Sequence, residues 1–236
     1  MNTHGFFRRL WPPRSEKKTP PCWPVPSAKQ PIADTPLVVF DLETTGLNQR
    51  KDQVISIGAV KILPAGLPMR SSFYELLNIP LDKYPRDGQL IHGLTQHDLQ
   101  QGKDPATALE SFLHYAQNHL WFAFHAEFDR HMLSRAVQQY LGVHYDPAPI
   151  DIALLAPLLN PGHDGLIYLD DWLNHFGLDN STRHNALGDA LATAELLLIL
   201  KQQALRAGYH SWAEVLLAAQ RHQKLGQQQN TALLMF

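Results

Sequence analysis

Val38–Gly46 reads VVFDLETTG: three apolar residues lead into Asp41, a second acid follows at Glu43, and two threonines and a glycine close the stretch. With Leu37 the apolar run reads as a strand, and residues two apart in a strand project to the same side. Asp41 and Glu43 then stand together where a buried strand meets a turn. Two unit charges ~4 Å apart repel by about 4 kcal/mol at an effective dielectric near 20. That is a large fraction of the roughly 5–15 kcal/mol that holds a domain folded. The acids either splay apart into solvent at the strand end or share a divalent cation. Mg²⁺ suits the second arrangement, because it takes hard oxygen ligands and keeps some of its waters.

Other acids occur in related settings. FHAEFDRHML, from Phe124, puts Asp129 at the start of a helix directly after the apolar strand LWFAF. RHNALGDALATAE, from Arg183, puts Asp189 early in the longest helix, with His184 five residues before it. Strand ends and helix starts are where a parallel-type sheet gathers reactive groups. Four carboxylates from three segments can meet there and hold two cations ~3.5–4 Å apart, the arrangement for metal-assisted phosphodiester hydrolysis. Histidine is the side chain suited to taking a proton from water at neutral pH, which is the role open to His184.

The surrounding text supplies a frame for these residues. LVVFDLE, QVISIGAVKIL and SSFYELLN read as three strands, with Pro64, Gly66 and Pro68 marking a turn of an antiparallel meander. Helices are expected over DPATALESFLHYAQNHL, EFDRHMLSRAVQQYLG, DIALLAPLL, YLDDWLNHFG and ALGDALATAELLLILKQQALRAG, with IHGLT in a loop. A last helix begins after Ser211 as N-cap. Three strands followed by helix–strand–helix alternation predict an α/β domain with a mixed sheet flanked by helices. Residues 1–36 form a proline-rich basic arm with about half of the 17 prolines, expected to be flexible; 37–207 form the main domain, and 208–236 a C-terminal helix and tail.

FDLETTGL, HAEFDRHML and HNALGDALAT, in this order, resemble the three motifs of the DEDDh, or DnaQ-like, 3′–5′ exonuclease superfamily, a group that includes the proofreading epsilon subunit of bacterial DNA polymerase III. IHGLT resembles its intervening I-H-G-I-T element, and the resemblance extends from about Leu37 to Gln203. It implies an RNase H-like sheet and release of nucleoside 5′-monophosphates from a 3′ end. It implies that Asp41, Glu43 and Asp189 hold one Mg²⁺ (Mn²⁺ substituting), that Asp41 bridges to a second ion completed by Asp129, and that His184 is the general base. Thr44, Thr45, Gly46, Leu47 and His92 would meet the terminal nucleotide. Asn185, four residues before Asp189, stands where tyrosine-using relatives carry their tyrosine, which supports the histidine branch. Phe124 and His125 replace a His-Asn pair found in many members.

Single-stranded or frayed DNA is the leading substrate, with 3′-exoribonuclease activity as the alternative, since sugar discrimination rests on contacts to the 2′-hydroxyl. A binding module without catalysis would have lost an acid or the histidine, and all five are present. A restriction-type nuclease would need a lysine where Thr44 and Thr45 stand. A proofreading role would require a polymerase subunit as partner. The end, QNTALLMF, is similar to sliding-clamp peptides, though Thr231 replaces their glutamine and packing on the body is the favoured reading. Asp151 is expected to cap a helix, Asp170 and Asp171 to be solvated, and Phe128 to be core. The net charge of −2 gives no whole-molecule basis for binding nucleic acid. One cysteine, Cys22, excludes a disulfide within the chain, and no apolar run approaches the ~18–20 residues of a membrane span. A cytoplasmic location is expected.

Overall fold

The computed structural model describes residues 23–68, 70, 72–79, 92–179 and 183–233. Cys22, the part of the basic arm before it and the last residues of QNTALLMF lie outside the described residues. Alternation in LVVFDLET builds β1 (Leu37–Thr44) as the central strand of a five-stranded sheet. It joins β2 (Val54–Ile62), β3 (Ser72–Leu76), β4 (Leu120–Ala123) and β5 (Ile150–Asp151) in the order β3-β2-β1-β4-β5. The β1–β2 and β2–β3 pairs are antiparallel, whereas β1–β4 and β4–β5 are parallel. This is the mixed sheet that the sequence patterns predict, in the RNase H-like form that the family resemblance implies.

The helices are α1 (Gln96–Gln100), α2 (Pro105–Ala116), α3 (Ala126–Leu141), α4 (Ile152–Leu159), α5 (Leu169–Phe176), α6 (Ala186–Arg206) and α7 (Trp212–Leu233). They divide between the two faces of the sheet according to the period-2 pattern of β1. Val38, Phe40 and Leu42 enter one core with Phe112 of α2 and Leu133 of α3. Leu37 and Val39 enter the other with α4, α5, α6 and α7, where Trp172, Leu197 and Trp212 are buried. Asp41 and Glu43 continue this second face. Its first half is thus apolar beneath the body of α6, and its second half is acidic beneath that helix's first turn.

Two local differences from the sequence reading have simple causes. β5 is only Ile150 and Asp151, too short to leave a periodic signal; the expected helix DIALLAPLL therefore starts one residue later, at Ile152, with Asp151 as its N-cap. α1 lies in what reads as loop, yet it opens on a capping box in which Thr95 and Asp98 satisfy each other's backbone N–H groups.

Residues 23–36 lie against the body. Trp23 is buried, with edge-on ring contacts to Tyr145 and His114 on the α2–α3 side. Ile32 is buried on the α6–α7 side, where its N–H donates to the His210 carbonyl at 2.9 Å. Among the described residues, no helix is long and apolar enough to cross a membrane.

Gly58 fixes the height of α6 above the sheet. It sits opposite Asp41 in the β1–β2 ladder, and a Cβ there would overlap the backbone of Ala186 and Leu187. Gly58→Ala should therefore force the first turn of α6 off the strand, at a cost on the order of 1–3 kcal/mol. Denaturant unfolding measures this; a loss within error of zero would show that the contact yields freely.

Candidate active site

The end of β1 and the first turns of α3 and α6 meet at one place. One carboxylate oxygen each from Asp41, Glu43 and Asp189 lies within 4.8 Å of the others. Asp129, in the first turn of α3, accepts backbone hydrogen bonds from Leu42 and from its own N–H, which ties it to β1 beside Asp41. Asp129 and Asp189 are each only 5% exposed. The four acids expected from three segments are thus brought together, while the ladder irregularity between Glu43 and Thr44 bends the strand end away from regular pairing.

Crowding leaves a record in the proton affinities. Burial, followed by the charges of Asp129, Glu43 and Asp189, holds Asp41 well above the usual carboxylate range. Burial and then Asp189 push Glu43 up to about 7, and the nearby Arg183 tempers the rise. Burial pushes Asp129 up to about 8 against its two backbone hydrogen bonds, with Glu43 and Asp151 adding to the rise. Carboxyls that retain protons near neutrality have too little countercharge, even with Arg183 beside them. An all-oxygen donor set of this spacing fits a hard divalent cation, and the positive end of α6 offsets the charge only in part.

His184 and His125 flank the acids in left-handed backbone conformations, at φ 61° and 55°. Among non-glycine residues that region is best tolerated by Asn, Asp and His, so a histidine at 125 keeps the turn that an asparagine there would make. The N–H of His184 donates to Asp189 Oδ2 at 3.2 Å, and the Asn185 side chain caps α6 by accepting from Leu187 and Gly188. His92 lies near enough for the charge of His184, after burial, to lower its pKa, and its Nδ1 accepts the Leu94 N–H at 3.2 Å.

The turn after β1 is tied down locally. Thr45 Oγ1 donates to Asp52 at 2.9 Å and accepts the Gln53 N–H, while Thr44 Oγ1 donates to the Gly46 carbonyl. Leu47, at the end of the turn, is 85% exposed. Its apolar side chain, four residues past Glu43 in the sequence, is thus presented to solvent.

Three contributors escape the sequence reading. Asp151 caps α4 as expected, but its Oδ1 also accepts the His125 N–H at 3.0 Å, and it adds to the field on Asp129. Arg183 donates to Asp189, and Asp170, expected to be solvated, pairs with the same guanidinium. A cation directly preceding His184 was the available signal. Phe128 packs partly buried against the α2–α3 core.

Comparisons with known proteins show what the chain is similar to. The exonuclease family model RNase_T matches residues 38–197. A PolC-type DNA polymerase III from Thermotoga petrophila is 30% identical over 178 residues, covering 75% of this chain and 13% of that protein. A DNA polymerase III subunit epsilon-like protein from Rhodobacter capsulatus is 30% identical over 207 residues, covering 84% of this chain and 29% of that protein. The chain therefore spans less than a third of the length of either relative. E. coli exonuclease I in complex with a dT13 oligonucleotide superposes with a TM-score of 0.62 at 18% identity, covering 74% of this chain and 42% of the other.

Raised carboxyl pKa values mean that the folded chain binds these protons more tightly than the unfolded chain does. In the metal-free protein this contribution to stability is complete below the unfolded carboxylate range and is lost as pH rises through about 7 to 8. Melting in EDTA should show Tm falling between about pH 5.5 and 8.5, with Mg²⁺ restoring more at the upper end. A Tm that rises across this window, or a Mg²⁺ effect that is larger at low pH, would contradict the clustering.

Proposed function

We propose that this chain, which belongs to the RNase_T exonuclease family, is a 3′–5′ exonuclease that removes nucleoside 5′-monophosphates from single-stranded or frayed DNA. The observation that carries the reading is the convergence of Asp41, Glu43 and Asp189 within 4.8 Å, with Asp129 beside them. Asp41, Glu43 and Asp189 would hold one Mg²⁺, with Mn²⁺ able to replace it, and Asp41 with Asp129 a second. When bound, the ions polarise the terminal phosphodiester and offset the charge on its attacking and leaving oxygens.

The chain's own groups supply the rest. His184 accepts a proton from the attacking water as the water oxygen bonds to phosphorus. The P–O3′ bond breaks, the 3′ oxygen remains on the shortened strand, and the phosphate leaves with the released nucleotide. The left-handed turn and the Asp189 hydrogen bond hold the backbone of His184 at the edge of the acid cluster. Thr44, Thr45 and Gly46 present the rigid turn after β1 to the terminal nucleotide. Leu47 offers its exposed side chain to the last base, and His92, close enough to feel the charge of His184, adds a further contact to the terminal nucleotide. The names of the relatives, a PolC-type DNA polymerase III and a DNA polymerase III subunit epsilon-like protein, support DNA as substrate and association with a polymerase chain.

Full-length protein with 5′-labelled DNA, RNA and mispaired duplex oligonucleotides, with Mg²⁺ or EDTA, tests this on one gel. Shortening from the 3′ end, favouring DNA and abolished by EDTA, is expected. His184→Ala should lose on the order of 10²–10⁴-fold in rate, and Asp41→Ala at least as much, with both variants folded by circular dichroism. Near-normal hydrolysis by either variant would overturn the mechanism, and faster trimming of RNA would reassign the substrate.

A further inference from the structure

Asp189 has both carboxylate oxygens engaged before any cation binds. Oδ2 accepts the His184 N–H at 3.2 Å, and Oδ1 accepts Nη1 of Arg183 at 2.5 Å. The same guanidinium places Nε 2.6 Å from Oδ1 of Asp170, in the first turn of α5. One guanidinium charge thus forms ion pairs with an acid of the metal-type cluster, whose side chain is 8% exposed, and with an acid outside it, whose side chain is 53% exposed. The Arg183 charge also acts on Asp41 and Glu43, so it serves all three members of the cluster.

An arginine cannot shed its charge in a protein. A divalent ion entering among these carboxylates therefore meets a fixed positive group on one of the oxygens it needs. The guanidinium has to release Asp189 Oδ1, and Asp170 already provides the acceptor on which it can rest. We infer that Arg183 is the resident countercation of the metal-free centre and sets its metal affinity, yielding Asp189 to the incoming ion while Asp170 retains the displaced guanidinium. This rests on the reading of the acids as metal ligands and adds two residues that are not themselves ligands. Arg183 acts through Asp189 and is a positioning residue.

The test is calorimetric titration of the metal-free full chain with Mn²⁺ at fixed ionic strength, without nucleic acid, for the wild type, Arg183→Gln and Asp170→Asn. Removing the competing cation should tighten Mn²⁺ binding on the order of tenfold. Asp170→Asn removes the resting place, strengthens the hold of Arg183 on Asp189, and should weaken binding several-fold. Opposite signs separate this role from general loosening of the fold, which would weaken both variants. Unchanged or weaker binding by Arg183→Gln, or unchanged or tighter binding by Asp170→Asn, would overturn the inference. Should Arg183→Gln not fold, the surface variant Asp170→Asn decides alone. A wild type that binds no Mn²⁺ would sink the metal centre and this inference with it. A wild type that binds, with variants that do not differ from it, would sink this inference only.

Discussion

Mutual repulsion of carboxylates, enforced by a backbone contact that leaves no room to relax, is the constraint on which the rest of this structure depends. Gly58 lets the first turn of α6 lie directly on β2, opposite Asp41. Asp189 is thereby delivered to within 4.8 Å of carboxylate oxygens of Asp41 and Glu43. The sheet supplies one pair of acids and the helices supply one each, so no single element can withdraw without unpacking a core face.

The surroundings divide the resulting charge among several weak remedies. The positive end of α6, the backbone N–H groups on Asp129 and the guanidinium of Arg183 each take a share. None is a divalent cation, and the carboxyls keep their protons to a pH where isolated ones would long have lost them. Two histidines in left-handed turns complete the rim, His125 fastened by Asp151 and His184 by Asp189. Their positions follow from where the acids sit.

Legibility in the sequence tracked the range of each interaction. The alternation of β1, the D-x-E spacing and the long apolar period of α6 are local patterns. From them the first strand, the longest helix and the four acids at a strand end and two helix starts could be read, whereas the strand order and the split into two core faces could not. What stayed hidden depends on tertiary approach. Gly58 reads as an ordinary small residue in a strand until Ala186 is laid against it. Arg183 and Asp170 lie 13 positions apart and meet only because α5 and the turn before α6 pack side by side. The two-residue β5 owes its existence to parallel pairing with β4. Thr95 and Asp98 are a different case, since their reciprocal capping follows a readable short motif.

The segment from Trp23 to Pro36 ties together parts of the molecule that the sheet keeps separate. It starts buried beside Tyr145 under α2 and α3, donates and accepts backbone hydrogen bonds near Asn118 and His210, and ends buried beneath α6 and α7. It passes the end of β1 remote from the acids, like a belt fastened across both layers. The cooperative unit therefore begins ahead of its first strand: a truncation at Leu37 would leave the acids untouched while unbuckling the two layers at the opposite pole.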